Sequence, residues 1–316
     1  MGLFSGCSGP QSALDPAGPQ AQSLGALFWW MTAGTAIIWL AMIALTIYAI
    51  RVEPDPAKNA GRSRMLIVVG GTLIPTVVLA VLLTYGLAML PAMVAPAPAG
   101  SLRIRVIGEQ WWWRVQYERE GRLVELANEI RIPVNEPVQF ELMSSNVIHA
   151  FWIPSLGGKR DMIPGRVIPI ALTASRTGLF RGVCAEYCGA SHALMSFIVE
   201  VMEKPAFESW LEQQAADARI PSNDDALRGQ HLFVENGCGA CHTVRGTPAS
   251  GTMGPELTHV GSRFSLGAGV LTNDLSALEK WIASPDRIKP AAHMPAFGML
   301  PPADQRALAA YLKGLE

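Results

Sequence analysis

The sequence is poor in charge. Asp, Glu, Lys and Arg make up 16% of it, against 50% hydrophobic residues. Soluble domains average about 25% charged residues, so part of this chain belongs out of water. The net charge of −1 removes the electrostatic basis for nucleic-acid binding. Histidine is scarce enough to name in full: His149, His192, His231, His242, His259 and His293. The five cysteines are an odd number, which leaves at least one without an intramolecular partner. Internal repeats and functional low-complexity segments are missing. Two long stretches contain no charge at all.

Those stretches run from Leu24 to Ile50 and from Met65 to Val94. Each exceeds the ~20 residues that cross a bilayer as a helix. Arg51, Lys58, Arg62 and Arg64 lie between them, and positive loops stay in the cytoplasm. The expectation is a transmembrane hairpin over 24–94, with helices at about 24–50 and 65–91 and its turn inside. The N-terminus and everything beyond about Ala95 then lie on the periplasmic face of a bacterial inner membrane, with lipid as the hairpin's partner. Residues 1–23 read as an irregular tail. Within it, Leu3-Phe-Ser-Gly-Cys7 is similar to a bacterial lipoprotein processing site, in which the Cys is lipidated. Too little sequence precedes Cys7 for a basic region and a 7–15-residue apolar core. Either the true start lies upstream or Cys7 is an ordinary terminal thiol.

After the Pro-rich linker Ala95–Gly100 the periodicity becomes that of strands. Short β-rich runs occur at 102–107, 137–143, 166–173, 178–183 and 196–202, broken by Pro and Gly, and predict a small sandwich or barrel over 100–203. Residues 204–222 read as an amphipathic helix, with Phe207, Trp210 and Leu211 on one face, followed by a linker. Residues 223–316 have a helical pattern.

That last region holds Cys238-Gly-Ala-Cys241-His242. C-x-x-C-H attaches c-type haem: the two thiols add to the vinyl groups and the adjacent His becomes an axial ligand of the iron. A thioredoxin-like redox pair would need a βαβ context, whereas helices flank this motif. Met294, in His293-Met294-Pro295, is the expected second axial ligand; His259, His293, Met253 and Met299 are its rivals.

Cys184-Ala-Glu186-Tyr-Cys188-Gly-Ala-Ser-His192-Ala-Leu-Met195 gathers thiols, an imidazole and a thioether, soft donors that suit copper. A small disulfide loop or a zinc site are the alternatives for this segment taken alone. Zinc cannot change oxidation state and has no evident role beside a haem.

A membrane hairpin, a β-domain with this segment and a haem domain, in that order, resemble subunit II of haem-copper cytochrome c oxidases, with the C-terminal haem domain of the caa3-type fusion. The resemblance covers the chain from Leu24 onward. It implies a cupredoxin-like Greek-key CuA domain followed by an all-α class I cytochrome c domain. It also implies that Cys184 and Cys188 bridge a binuclear copper centre (CuA), that His149 of Val147-Ile148-His149 and His192 each cap one copper, that Met195 is a weak ligand and that Glu186 ligates through its carbonyl. The Glu186 carboxylate resembles a ligand of a magnesium ion shared with subunit I. Trp111 of Gly108-Glu-Gln-Trp111-Trp112-Trp113 matches the electron-entry position, while Trp112 or Trp113 packs the barrel. Asp161 and Arg166 match a segment facing the catalytic subunit. Gly254-Pro255, Gly229, Phe233 and Tyr311-Leu312 match the cytochrome c pattern, in which the Pro carbonyl accepts a hydrogen bond from the axial His.

The implied function is electron entry. Electrons pass from a cytochrome c or a cytochrome bc complex through haem c and CuA to subunit I, which reduces oxygen with proton pumping beside subunit III. Asn146 stands where many members carry an Asp of the docking patch for soluble cytochrome c, which leaves the tethered haem as the donor to copper. A nitric oxide reductase subunit is the alternative with the same site chemistry. A copper-delivery protein is opposed by the haem motif, and a copper-free quinol-oxidase version by the complete ligand set.

Overall fold

The computed structural model describes residues 7–52, 56–119 and 121–316; the processing segment 3–6 and the turn residues 53–55 lie outside the described residues. The chain divides into two compact units, Ser23–Ala95 and Met1–Gln22 with Pro96–Glu316.

The smaller unit is helical. Helix α1 spans Pro19–Arg51. Helix α2 (Pro56–Met65) runs through a π-helical stretch, Leu66–Leu73, into α3 (Ile74–Val94). Pro75 lies in the first turn of α3. It removes one donor from the ladder, and the wide π-turn before it takes up the mismatch. Among the described residues two helical spans are long and apolar enough to cross a membrane, Pro19–Arg51 and Ala60–Val94, with mean hydropathies of 2.1 and 2.6 and no burial in either apolar window. Large apolar side chains such as Trp30, Trp39, Ile50 and Leu79 point outward. A helix answers every backbone polar group internally, which is what lipid demands of such a surface.

The irregular tail expected over residues 1–23 differs in two ways. Helix α1 already begins at Pro19, ahead of the apolar run at Leu24. The residues before it are pinned to the β-domain: the Ala17 N–H donates to the Ser155 carbonyl and the Ser175 N–H to the Ala17 carbonyl, both at 2.7 Å, and the Arg181 N–H donates to Pro10 at 2.8 Å. Ala17 and Ala21 are buried. Short side chains and backbone hydrogen bonds hold this segment, neither of which registers as hydrophobic periodicity.

In the larger unit, among the described residues, ten strands make two five-stranded sheets. One has β3 (Arg122–Ala127), β2 (Trp112–Arg119), β1 (Leu102–Glu109), β5 (Pro137–Ser144) and β8 (Ile168–Thr173) in that order. The other has β4 (Glu129–Pro133), β10 (Ser196–Met202), β9 (Gly178–Cys184), β6 (His149–Trp152) and β7 (Arg160–Met162). Alternation explains their faces: in β2, Trp113, Val115 and Tyr117 are buried while their neighbours are partly exposed. The inner faces meet in an aromatic cluster. Phe151 stacks on Phe197 at 4.9 Å, and Trp113 meets Phe197 edge-on at 5.0 Å. Truncating a buried ring of this kind to Ala costs about 3–5 kcal/mol. Gly182 leaves the space for Phe197, since a Cβ there would sit 2.0 Å from its ring.

Helix α4 (Lys204–Ala215) lays Phe207, Trp210 and Leu211 on the sandwich, with Trp210 edge-on to Tyr117 at 5.6 Å. The haem-motif region is helical: α5 (Asp224–Glu235), α6 (Leu275–Ala283), α7 (Pro285–Ile288) and α8 (Pro302–Gly314). Asn223 and Asp274 cap α5 and α6 by accepting from Ala226 N–H and Ala277 N–H. Helices α5 and α8 cross at Gly229, where a Cβ would lie 2.0 Å from the Ala307 carbonyl oxygen, and Phe233 meets Tyr311 at 5.5 Å.

Candidate metal centre and haem pocket

Strand pairing brings the distant histidine to the thiols. Strand β6 pairs with β9 so that Phe151 lies opposite Cys184, which places His149 beside the end of β9. The Cys184 N–H donates to the Met195 carbonyl at 2.9 Å and the Ala185 N–H to the Ala150 carbonyl at 3.0 Å, closing the loop on itself. His149, Cys184, Cys188 and Met195 are all buried.

The donor atoms converge. Cys184 Sγ lies 3.7 Å from His149 Nδ1, and Cys188 Sγ lies 3.6 Å from His192 Nδ1. Met195 Sδ is 3.8 Å from Cys188 Sγ, and the Glu186 carbonyl oxygen is 3.2 Å from Cys184 Sγ. The two Sγ atoms are 3.8 Å apart, and no described cysteine is disulfide-bonded. Among the described residues His149, Cys184 and Cys188 form a cluster with metal-binding geometry. The hydrogen bond from Cys188 holds the Cys184 thiol below the ordinary thiol range, against the opposing effect of burial. The same bond and burial push Cys188 up. Metal ligation uses the thiolate, the form that this bond favours at Cys184. This soft donor set fits copper.

Sequence reasoning did not find the groups that aim His149. Its Nε2 lies 3.1 Å from Asn146 Oδ1, and as the donor on that side it leaves Nδ1 as the free lone pair facing Cys184. Gly108 lies flat against the ring, where a Cβ would come within 2.7 Å. Asn146, read in the sequence as a lost docking charge, is thus a partner of the His149 imidazole. The Glu186 carboxylate points elsewhere: Lys159 Nζ sits between Asp161 at 2.9 Å and Glu186 at 3.3 Å.

The haem motif faces a cavity of about 310 Å³. Cys238, Cys241 and His242 line it, as do Met253, His293 and Met294, and apolar residues including Leu257, Leu278, Ile282 and Leu308 complete its wall. His242 Nδ1 donates to the Pro255 carbonyl at 2.7 Å, leaving Nε2 for iron. Burial lowers the His242 pKa and favours the neutral, ligating form. Gly254 packs on the imidazole as Gly108 does on His149, with a Cβ there 2.5 Å from Cε1. His259 is not among the lining residues; its Nε2 donates to the Ala216 carbonyl at 3.2 Å. An apolar chamber with two thiols and a neutral imidazole on its wall fits haem c.

The β-domain supplies part of that wall. Gln110, Trp111, Trp112 and Asn128 line the same cavity. Trp111 also donates its indole N–H to the Cys188 carbonyl at 3.0 Å and faces the His293 ring at 6.1 Å. Trp111 therefore touches both the cavity and the thiol loop. Trp113 packs in the core beside His149 and Phe151.

Comparison with known proteins places both domains in known families. The family model of the cytochrome c oxidase subunit II periplasmic domain matches residues 117–202, and the cytochrome c model matches 226–316. The cytochrome c oxidase subunit 2 of Alkalihalophilus pseudofirmus is 35% identical over 333 residues, covering 99% of this chain and 94% of that protein. That of Bacillus subtilis is 33% identical over 226 residues, 68% of this chain and 63% of its own length. A solved periplasmic domain of cytochrome oxidase subunit II from Bradyrhizobium japonicum is 35% identical and covers 39% of this chain and 97% of its own, with a TM-score of 0.36. The two matched domains imply copper and haem c, which are the groups the donor sets fit. With nearly its whole length aligned to one such subunit and both domains in the same order, this chain belongs to the cytochrome c oxidase subunit II family, as a member with a C-terminal cytochrome c domain, and is part of a haem-copper terminal oxidase.

Proposed function

We propose that this chain is the electron-entry subunit of its oxidase. When bound, haem c and a binuclear copper centre supply one-electron carriage from an external donor, a cytochrome c or a cytochrome bc complex, to subunit I, which reduces oxygen to water with proton pumping beside subunit III. Cys184, Cys188, His149 and His192, with Met195 and the Glu186 carbonyl, would hold the copper centre, and two thiolates shared there would keep the change in geometry on reduction small. Cys238 and Cys241 would attach the haem through their thiols, His242 and Met294 would ligate its iron, and Trp111 would take the electron-entry role. The β-sandwich fixes the copper ligands on a rigid frame and keeps water from them. The helices do the same for the haem.

The observation that carries this reading is that one residue, Trp111, lines the haem cavity and bonds to a copper-ligand backbone. In this reading α1 and α3 form a hairpin across the inner membrane, with the tail and both soluble domains in the periplasm and Cys7 available for lipidation. A magnesium ion at Glu186, shared with subunit I, requires the Lys159 ammonium to swing away from between Asp161 and Glu186.

The test is an electron paramagnetic resonance and optical spectrum of the purified oxidase. A mixed-valence dicopper signal together with c-type haem bands is expected. A colourless, zinc-loaded copper site, or a Cys184–Cys188 disulfide in fresh membranes, contradicts the proposal.

A further inference from the structure

The copper-ligand loop is gripped from the other domain. His192 and Met195 lie within Ser191–Ser196, and residues of the haem domain hold that segment at three places. Ser191 Oγ donates to the Pro290 carbonyl at 2.6 Å. Ser196 donates to the Ala268 carbonyl from Oγ at 2.8 Å and from its backbone N–H at 3.1 Å. Between these, Lys289 Nζ donates to the Leu194 carbonyl at 2.9 Å and to the Gly267 carbonyl of its own domain at 2.8 Å.

Lys289 is an unusual residue to find there. It is 4% exposed, in a class of side chain that is almost never fully buried unless its hydrogen bonds are met. Its backbone is fixed at the end of α7 by a bond from its N–H to the Pro285 carbonyl at 2.8 Å. It also lines the haem cavity. The carbonyl it holds belongs to the residue directly before Met195, in the one-turn helix His192–Leu194. A side-chain amine that donates to two carbonyls from two domains cannot release either without leaving a buried polar group unpaired.

We propose that Lys289 is a positioning residue for the copper site: it clamps the haem domain onto the loop that carries His192 and Met195, so the docked domain holds the copper ligands in place. The inference rests on the copper assignment above and goes beyond it, because the holding group comes from the cytochrome c region of the chain. Coupling of this kind is reciprocal. Disturbing the copper loop loosens the haem domain, and loosening the haem domain disturbs the copper loop.

The experiment uses the full chain within its oxidase. Lys289→Met keeps the aliphatic bulk and removes the donors; Lys289→Arg restores donors; Ser191→Ala removes one neighbouring grip and is the milder change. Amide hydrogen exchange across 191–196 and 266–270 is read together with the dicopper spectrum. Lys289→Met is expected to speed exchange in both segments about tenfold and to alter the copper hyperfine pattern while the haem remains covalently attached. Lys289→Arg recovers most of both. Ser191→Ala moves both readouts in the same direction by less, and decides the matter if Lys289→Met does not accumulate. Wild-type exchange and wild-type copper spectra in Lys289→Met, or in Ser191→Ala where that variant decides, overturn the clamp. So does an unchanged copper spectrum with faster exchange confined to 266–270. Absence of a dicopper signal in the wild-type chain overturns the copper assignment instead, so the two failures are distinguishable.

Discussion

The imidazole of His149 is held from several directions at once. Asn146 fixes its Nε2, Gly108 lies against its face and the Trp113 ring flanks it at 6.3 Å. A ligand whose ring cannot turn needs no reorganisation when metal binds, and the loss of such outer partners lowers metal affinity about 10–100-fold. Asn146→Ala is therefore expected to lower copper retention by that factor and to leave haem attachment intact; equal copper content after dialysis against a chelator would remove Asn146 from the site. The sequence motif names the donors because copper chemistry demands their side-chain types. It does not name Asn146, Gly108 or Lys289. Their contributions depend on what the fold lays against them, and no residue type or spacing marks an amide as an imidazole's partner.

At the scale of elements, the contact between the β-domain and the haem domain includes a buried acid. Glu129 opens β4 and is 3% exposed, and its carboxylate accepts the Phe264 N–H from the haem domain. Burial raises its pKa from 4.5 to about 7, opposed by Arg263 across the contact and Arg131 on its own strand and reinforced by Glu200 on β10. With a pKa higher in the docked state, the Glu129 contribution to stability is full below pH 4.5 and is lost as pH rises to about 7. Glu129→Gln should flatten that part of the profile. The difference in thermal midpoint between Glu129→Gln and wild type is expected to grow across this window in favour of the variant; a constant difference would show that Glu129 does not titrate on docking. The elements themselves were unevenly legible. Helix α6 falls within the region whose pattern reads as helical, because its amphipathic repeat is regular and Asp274 caps it. Strands β1, β5, β9 and β10 follow the β-rich runs. The reading of Trp111, Trp112 and Trp113 as electron entry and barrel packing does not extend to strand β2, in which Trp113, Val115 and Tyr117 alternate inward as a buried strand. Strands β3 and β4 are polar enough at their outer positions to escape a hydrophobic count.

For the whole molecule, domain order follows from local signals: charge-free runs, strand periodicity and C-x-x-C-H. The docking of the haem domain does not, because it is made by single polar contacts between segments far apart in sequence, such as Arg114 to the Thr252 carbonyl at 2.8 Å and Lys289 to Leu194. Docking makes Trp111 a shared wall of both sites. In the proposed reading, transfer from haem to copper then needs no encounter between separate molecules. The most direct measurement of this account is rapid photoreduction of haem c in the purified, fully oxidised enzyme, followed by its reoxidation and the matching reduction of copper. A rate independent of enzyme concentration, and little changed between low salt and about 0.15 M ionic strength where surface steering is screened, is the predicted result. A rate that rises with enzyme concentration, or a haem that stays reduced while copper stays oxidised, would contradict it.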